Sequence, residues 1–439
     1  MFDLISVTAF GGAIGIICGL IPGIGMLAAV SILYPTLLDW SPIQLLMFYT
    51  SMVCSAQYFG SVTAIYLGMA GEASSFPAVI EGYTLSKQGH GQRSIFLTGV
   101  GSFVGTIFGL LFIALLSFSG LFVNLTSFER MVLFFLVGLS LIFTTNNSLY
   151  TDLFLIILAL GLSHIGTSIS SNVPLYNFGF MFLSSGISYF SLAAGLLCMK
   201  EVLDAENSSS RNLFNEEKFN RIKEIIKHKY AIIRGSIIGS IGGMLPGMTT
   251  IAASHLAYIA EKRIQKKDYK KGNIRCLTSS ETANNSGSIT QLFPLLMFGI
   301  PITGSEAILY NILEVKGWQS SSGAPLQLLV NNWWLLIISN LIFLVLAIKF
   351  AKRFIKIVPK NNAMLKIIIF LILALVVYTV GQEEAGNGVF NLLIYFISVL
   401  IIKIFPKTNF LPFIFWMVIG NIWLENFYRF LQINGIYGN

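Results

Sequence analysis

The chain of 439 residues is 55% hydrophobic and 11% charged, with a formal net charge of +8. A water-soluble domain carries roughly 25% charged residues, so this composition excludes an ordinary soluble globule. The basic excess lies in short loops (211–229, 262–275 and 349–366), which marks a cytoplasmic membrane face rather than a nucleic-acid surface.

In chain order, no charged residue or histidine lies between Asp3 and Asp39, Asp39 and Glu72, Arg93 and Glu129, His164 and Lys200, or Lys316 and Lys349. Shorter apolar runs cover 131–151, 367–382, 385–402 and 408–424. One hydrocarbon span takes about 20 residues, so roughly 10 to 13 spans are expected. They are helices, because lipid offers no partner to an open backbone group. A β-barrel would alternate polar and apolar residues instead. Met1 to Ser6 carry no positive charge, so no cleavable signal peptide is expected. Cys18, Cys54, Cys198 and Cys276 show no metal spacing and read as small buried hydrophobes.

One pattern occurs twice. Gly11, Gly15, Gly19, Pro22 and Gly23 return as Gly235, Gly239, Gly243, Pro246 and Gly247, at a constant offset of 224, with Ala28, Ala29 and Tyr34 returning as Ala252, Ala253 and Tyr258. Gly60-Ser61-Val62-Thr63 then matches Gly287-Ser288-Ile289-Thr290, and Gly68 matches Gly299 at a larger offset. Glycines four apart let another helix approach closely. Each Pro-Gly breaks its helix, which membranes tolerate only beside protein or a watery cavity. The expected fold class is therefore an all-α integral membrane protein, a polytopic helical transporter with two internal, inverted repeats and broken, re-entrant helices. Residues 1–130 form the first repeat, and 131–231 form connecting helices with a basic cytoplasmic loop. Residues 232–345 form the second repeat, and 346–439 the C-terminal helices.

A carboxylate in a bilayer is costly and faces a cavity or partner. Glu281, Glu72 and Glu306 are the ion-coupling candidates. Glu281, Asn284, Asn285 and Ser288 share helical spacing and are read as one polar face; the alternative is an interfacial helix end. Glu72 and Glu306 follow glycine-rich stretches, where N-capping is the alternative. The substrate-binding candidates are Pro22, Gly23 and Gly25 at the first break, and Pro246, Gly247 and Thr249 at the second. Gly60, Ser61 and Thr63 join Asn284 and Asn285 on the long helices. Gly71, Glu72, Pro301, Thr303 and Ser305 lie in the two glycine-rich loops. Asp152 and His164 read as structural, and Glu425 with Arg429 as a surface pair. No His-Glu-x-x-His or Gly-x-Ser-x-Gly occurs, and Gly23 to Ala28 matches a dinucleotide fingerprint only as letters, so no enzyme is expected.

These residues resemble the large membrane subunit of the tripartite tricarboxylate transporter family. The resemblance covers nearly the whole chain. It rests on Gly15-Ile-Ile-Cys-Gly-Leu-Ile-Pro-Gly23, Glu81-Gly82-Tyr83, Ala257-Tyr258-Ile-Ala-Glu-Lys-Arg263, Glu281-Thr-Ala-Asn-Asn285 and Phe298-Gly-Ile-Pro301, and on the segment from Gly420 to Arg429. It implies a multi-pass permease of the bacterial inner membrane, embedded in lipid, working with a small membrane subunit and a periplasmic solute-binding protein. It implies ion-driven import of a small-molecule carboxylate, with Na+ or H+ as coupling ion and no other cofactor. The chain departs from the family pattern at Ala70-Gly71-Glu72-Ala73, where Pro-Gly-Thr-Pro is usual, and at Leu175, where an arginine is usual. The substrate itself stays open. The alternative is a channel-like or scaffold subunit without ion-coupled cycling.

Overall fold

Both Pro-Gly dipeptides fall between helices. The structure, a computed structural model, describes residues 3–21, 25–68, 73–75, 77–119, 126–142, 145, 147–166, 176–184, 186–204, 218–245, 250–265, 272–317, 324–357, 363–385 and 387–433. Helix α1 (Leu4–Leu20) starts on Asp3, which accepts from the Ser6 amide at 2.7 Å, and it stops just before Pro22. Helix α2 (Met26–Leu37) resumes after Gly25. Helix α3 (Pro42–Leu67) begins with a Ser41/Gln44 capping box and ends on Gly68 at φ 69°, a left-handed stop that suits glycine.

A 3₁₀ turn (Ala73–Ser75), a π-helical turn (Ala78–Gly82) and α4 (Tyr83–Lys87) lead into α5 (Gly91–Ser119), α6 (Ser127–Ile142) and α7 (Leu149–Ser163). Short α8 (Tyr189–Ala193) and α9 (Met199–Asp204) flank a second π-helical turn. Helix α10 (Arg221–Met244) stops before Pro246, and α11 (Thr250–Gln265) resumes beyond it. Helix α12 (Ile274–Thr290), capped by Asn273, bends at Gln291 into α13 (Leu292–Phe298), which ends on Gly299 at φ 71°. Then come α14 (Gly304–Val315), α15 (Ala324–Asn331), α16 (Trp333–Ile357), α17 (Ala363–Ala385), α18 (Gly388–Ile404) and α19 (Leu411–Ile433). The described residues contain no strand.

Among the described residues, two helices, Gly91–Phe118 and Trp333–Lys356, are long and apolar enough to cross a membrane alone; Leu4–Leu20, Met26–Leu37 and Leu149–Ser163 are apolar but shorter. The expected 10 to 13 full spans are thus not visible as such by length and composition. The breaks shorten some helices, and α12 is too rich in hydroxyl and amide groups to read as hydrocarbon-facing. Cys18, Cys54, Cys198 and Cys276 are buried and unbridged, as expected of small core residues.

Backbone contact sets the packing. Gly11, Gly15 and Gly19 lay α1 against the carbonyls of Phe48, Met52 and Ala56, so α1 and α3 run side by side in the same direction. Gly235, Gly239 and Gly243 lay α10 against the carbonyls of Ser279, Ala283 and Gly287 of α12, again in the same direction. A side chain at any of these six glycines would overlap the neighbouring helix. Gly101, Gly105 and Gly109 of α5 abut α12 along the adjacent row of Thr278, Thr282 and Ser286. Every residue from Cys276 to Thr290 is buried as a result.

The paired helices return to where they began. Trp40, just before α3, packs edge-on against Phe10 of α1 and Phe48 of α3. The Asn273 side chain, at the start of α12, donates to Gln265 at the end of α11 at 3.0 Å. So α1 with α2, and α10 with α11, each enter and leave at the N-terminal end of the long helix they precede.

The backbone pairings also correct a register. Phe48, Met52 and Ala56 correspond to Ser279, Ala283 and Gly287, and Gly68 to Gly299. The match of Gly60–Thr63 with Gly287–Thr290 is therefore displaced by four residues, one helical turn. Small and hydroxyl residues recur each turn in both helices, so a one-turn slip preserves the match in letters.

Candidate functional site at the crossing of α3 and α12

Most hydroxyls of α12 turn inward on their own helix. Thr278 donates to the Ile274 carbonyl at 2.6 Å, Thr282 to Thr278 at 2.7 Å, and Thr290 to Ser286 at 3.2 Å. This local bonding lets a polar helix sit fully buried. The amides and the carboxylate are different, because they reach other helices.

Glu281 meets Ser61, whose hydroxyl donates to Oε2. The Gln57 side-chain amide donates to Ser288 Oγ and, at 3.4 Å, to Asn284 Oδ1. Moving up α3 from Gln57 to Ser61 moves the partner down α12 from Ser288 to Glu281, so the two helices cross in opposing directions. All five residues are buried. Among the described residues, Glu281 Oε1, Gln57 Oε1 and Asn284 Nδ2 have no hydrogen-bond partner. Among the described residues, no basic side chain pairs with Glu281. A charge buried without a partner is expensive, which sets Glu281 apart from the paired carboxylates Glu224 and Glu261.

The structure divides the other candidates. Asn285 faces away from α3, toward α5, where it donates to Ser102 Oγ at 2.7 Å. The expected single face is therefore two. Gly60 lies under Gly19, and Thr63 Oγ1 lies 3.2 Å from the Gly19 carbonyl, so both hold the end of α1 rather than the seam. Gly25 is the N-cap of α2, without a side-chain cap. Pro22, Gly23, Gly71, Glu72, Pro246, Gly247, Thr249 and Leu175 lie outside the described residues, as do the side chains of Glu425 and Arg429.

Glu306 is fully engaged. Its carboxylate accepts from Gln291 Nε2 at 2.6 Å and from the amides of Ile302 and Thr303 at 2.8 and 3.2 Å. It forms a capping box with Thr303 and holds the Gly299–Gly304 loop, including buried Pro301, against the α12–α13 bend. Ser305 ties this loop to Tyr49 of α3 at 2.9 Å. Asp152 accepts from Thr145 at 2.5 Å and Asn147 at 2.6 Å, and Asn147 bonds the backbone of Asn409, joining the starts of α7 and α19. His164 donates to the Leu160 carbonyl at 2.6 Å. Both make hydrogen bonds at the ends of α7.

Three participants escape sequence inspection. Gln57 is a single amide in an apolar run, and Ser102 is one serine among many. Glu81 is buried in the π-helical turn, where it accepts from Tyr258 OH at 2.8 Å and the Asn273 amide at 2.7 Å.

An uncharacterized 52.8 kDa protein of the TAR-I ttuC' 3'region of Agrobacterium vitis is 31% identical over 324 residues, covering 70% of this chain and 63% of the relative. An uncharacterized protein of the TAR-II ttuC' 3'region of the same organism is 33% identical over 81 residues, covering 18% of this chain and 34% of the relative. The chain thus spans less than two thirds of the length of either. No solved structure matches it. The description of the Tripartite tricarboxylate transporter TctA family matches residues 5–415, and the chain, aligned from α1 into α19, belongs to that transporter family.

Proposed function

We propose that this chain is the multi-pass permease subunit of an ion-coupled secondary transporter that imports a small organic carboxylate across a bacterial inner membrane. The observation that carries this is the α3–α12 crossing, where, among the described residues, a buried carboxyl with no cationic partner sits beside two amides that each leave one polar atom unpaired. Glu281 Oε1 and Gln57 Oε1 are acceptors, a set suited to a proton or Na+ and unsuited to an anion.

The two halves act as inverted repeats in this proposal. Support comes from α1 on α3 and α10 on α12, which make the same glycine-to-carbonyl contacts, and from the opposing directions of α3 and α12. Each helix pair, broken at Pro22 or Pro246, is then a re-entrant hairpin, one from each membrane face. The family's tripartite organisation supports a small membrane subunit and a periplasmic solute-binding protein as partners.

Uptake of labelled carboxylates into vesicles holding the permease and both partners tests the proposal. Saturable uptake that follows a Na+ or proton gradient is expected, and Glu281→Gln abolishes it while membrane insertion stays normal. Flux that ignores both gradients would favour a channel-like subunit instead.

A further inference from the structure

Tyr34 and Tyr258 occupy matched places in the sequence, and the structure gives them matched partners. Tyr34 at the end of α2 donates to Asn311 Oδ1 of α14 at 2.6 Å. Tyr258 of α11 donates to Glu81 Oε1 in the turn after α3 at 2.8 Å. Each tyrosine therefore reaches from the hairpin of one half to the segment that follows the glycine stop in the other half. Both rings are buried, and Tyr34 also stacks on Phe190 at 4.4 Å between centroids.

The two bonds lie at opposite ends of α3. The Tyr34 end is marked by Ser305 of α14, bonded to Tyr49 in the second turn of α3. The Tyr258 end is marked by Gly82, beside Glu81, whose Cα faces Ile65 in the last turn of α3. Sixteen residues of helix separate Tyr49 from Ile65, about 24 Å at 1.5 Å per residue. Gln57 lies midway between them, at the seam with α12. The Tyr258 end carries the basic loops, with Lys262 over the Tyr258 ring and Glu261 paired to Arg234 and Arg275. The Tyr34 end carries Asp3 and Asp39.

We infer that Tyr34 and Tyr258 are a reciprocal pair of latches, one closing each end of the seam, and that transport requires them to open in alternation. This rests on the proposed transport cycle. They are positioning residues: neither touches Glu281, and each acts by holding a hairpin of one half against the other half. The tie crosses the halves in both directions, so rocking one half against the other must break one bond while it can keep the second.

Sided labelling of the full-length protein in oriented vesicles tests this. Ser288→Cys supplies a reporter at the seam, against a background set by the four native cysteines, all buried. A membrane-impermeant maleimide is applied to each face in turn. Tyr258→Phe should raise labelling from the basic-loop face on the order of tenfold, the factor one lost hydrogen bond supplies. Tyr34→Phe should do the same from the opposite face only. Phenylalanine keeps both rings packed, and Glu81→Gln, which keeps an acceptor, should label like the parent. Shifts on the same face for both variants, a shift for one alone, or no shift overturns the latches. Normal gradient-driven uptake without sided shifts sinks the latches alone. Sided shifts with no gradient-driven uptake by the parent chain, in which Ser288 is intact, sink the transport proposal alone.

Discussion

Gln57 donates to Ser288 across a sequence separation of 231 residues, the same separation that relates Gly68 to Gly299, the left-handed glycines that end α3 and α13. Gln57 and Ser288 thus stand at matching positions of the repeated sequence pattern, which the Glu281–Ser61 pair does not. A contact between counterparts lies on the axis that would relate the halves, and Gln57 is the residue to test first.

Gln57→Leu leaves the Asn284 oxygen and the Ser288 hydroxyl without their donor, a loss of about 1–3 kcal/mol for buried groups. Uptake should fall at least about tenfold at unchanged membrane abundance. Gln57→Asn should recover part of it. Uptake kinetics with both variants, normalised to protein in the membrane, decides the matter.

Substitutions at the helix contacts should act on stability. Gly15→Val and Gly239→Val drive a side chain into the Met52 and Ala283 carbonyls. Overpacking of this kind costs about 1–3 kcal/mol or more, seen as a lower midpoint of thermal unfolding in detergent. Gly161 of α7 has nothing within 4 Å of an added methyl, so Gly161→Ala should be neutral or stabilising by up to about 1 kcal/mol.

Glu306 offers a sharper distinction. Glu306→Ala strands the Gln291 amide and two backbone N–H groups, and should destabilise the protein by about 1–3 kcal/mol for each buried donor left without a partner. Glu306→Gln keeps an acceptor oxygen for the loop and should retain most stability and uptake. Full stability with abolished uptake in Glu306→Gln would mean that its charge, and not its hold on the loop, is used in the cycle.

Asp152→Ala removes the acceptor of Thr145 and of Asn147, the side chain that ties the start of α7 to the Asn409 backbone ahead of α19, far along the chain from the seam. Its effect should be confined to stability, about 1–3 kcal/mol. Uptake per folded molecule should match the parent, measured at a temperature well below the unfolding midpoint.

The sequence alone announces the helix breaks well, because proline removes a donor and glycine removes a side chain wherever they occur. Helices α1 and α10 stop at Leu20 and Met244, just ahead of Pro22 and Pro246. Glu281 and Asn284 were legible because a carboxyl amid amides is rare in an apolar chain. Gln57 was not, since its meaning depends on which face of α3 meets α12. The division between Asn284 and Asn285 was hidden for the same reason: spacing says that two residues are neighbours on a helix, and only the packing of α3 and α5 says which way each looks. Likewise, letter matching could not fix the repeat register within one turn, whereas backbone contact does.

Helix α12 is pressed by glycine-faced backbone from α10 and along an adjacent row from α5, and its hydroxyls are spent on its own carbonyls. Its peptide groups should therefore be among the last in the chain to exchange hydrogen with deuterated solvent. Its length should also be intolerant of change. One inserted residue would turn everything beyond it by about 100°, replacing the bare carbonyl row with threonine methyls and carrying Glu281 or Ser288 off the face that meets α3. Natural relatives should accordingly vary in loop length around α12 and not within it.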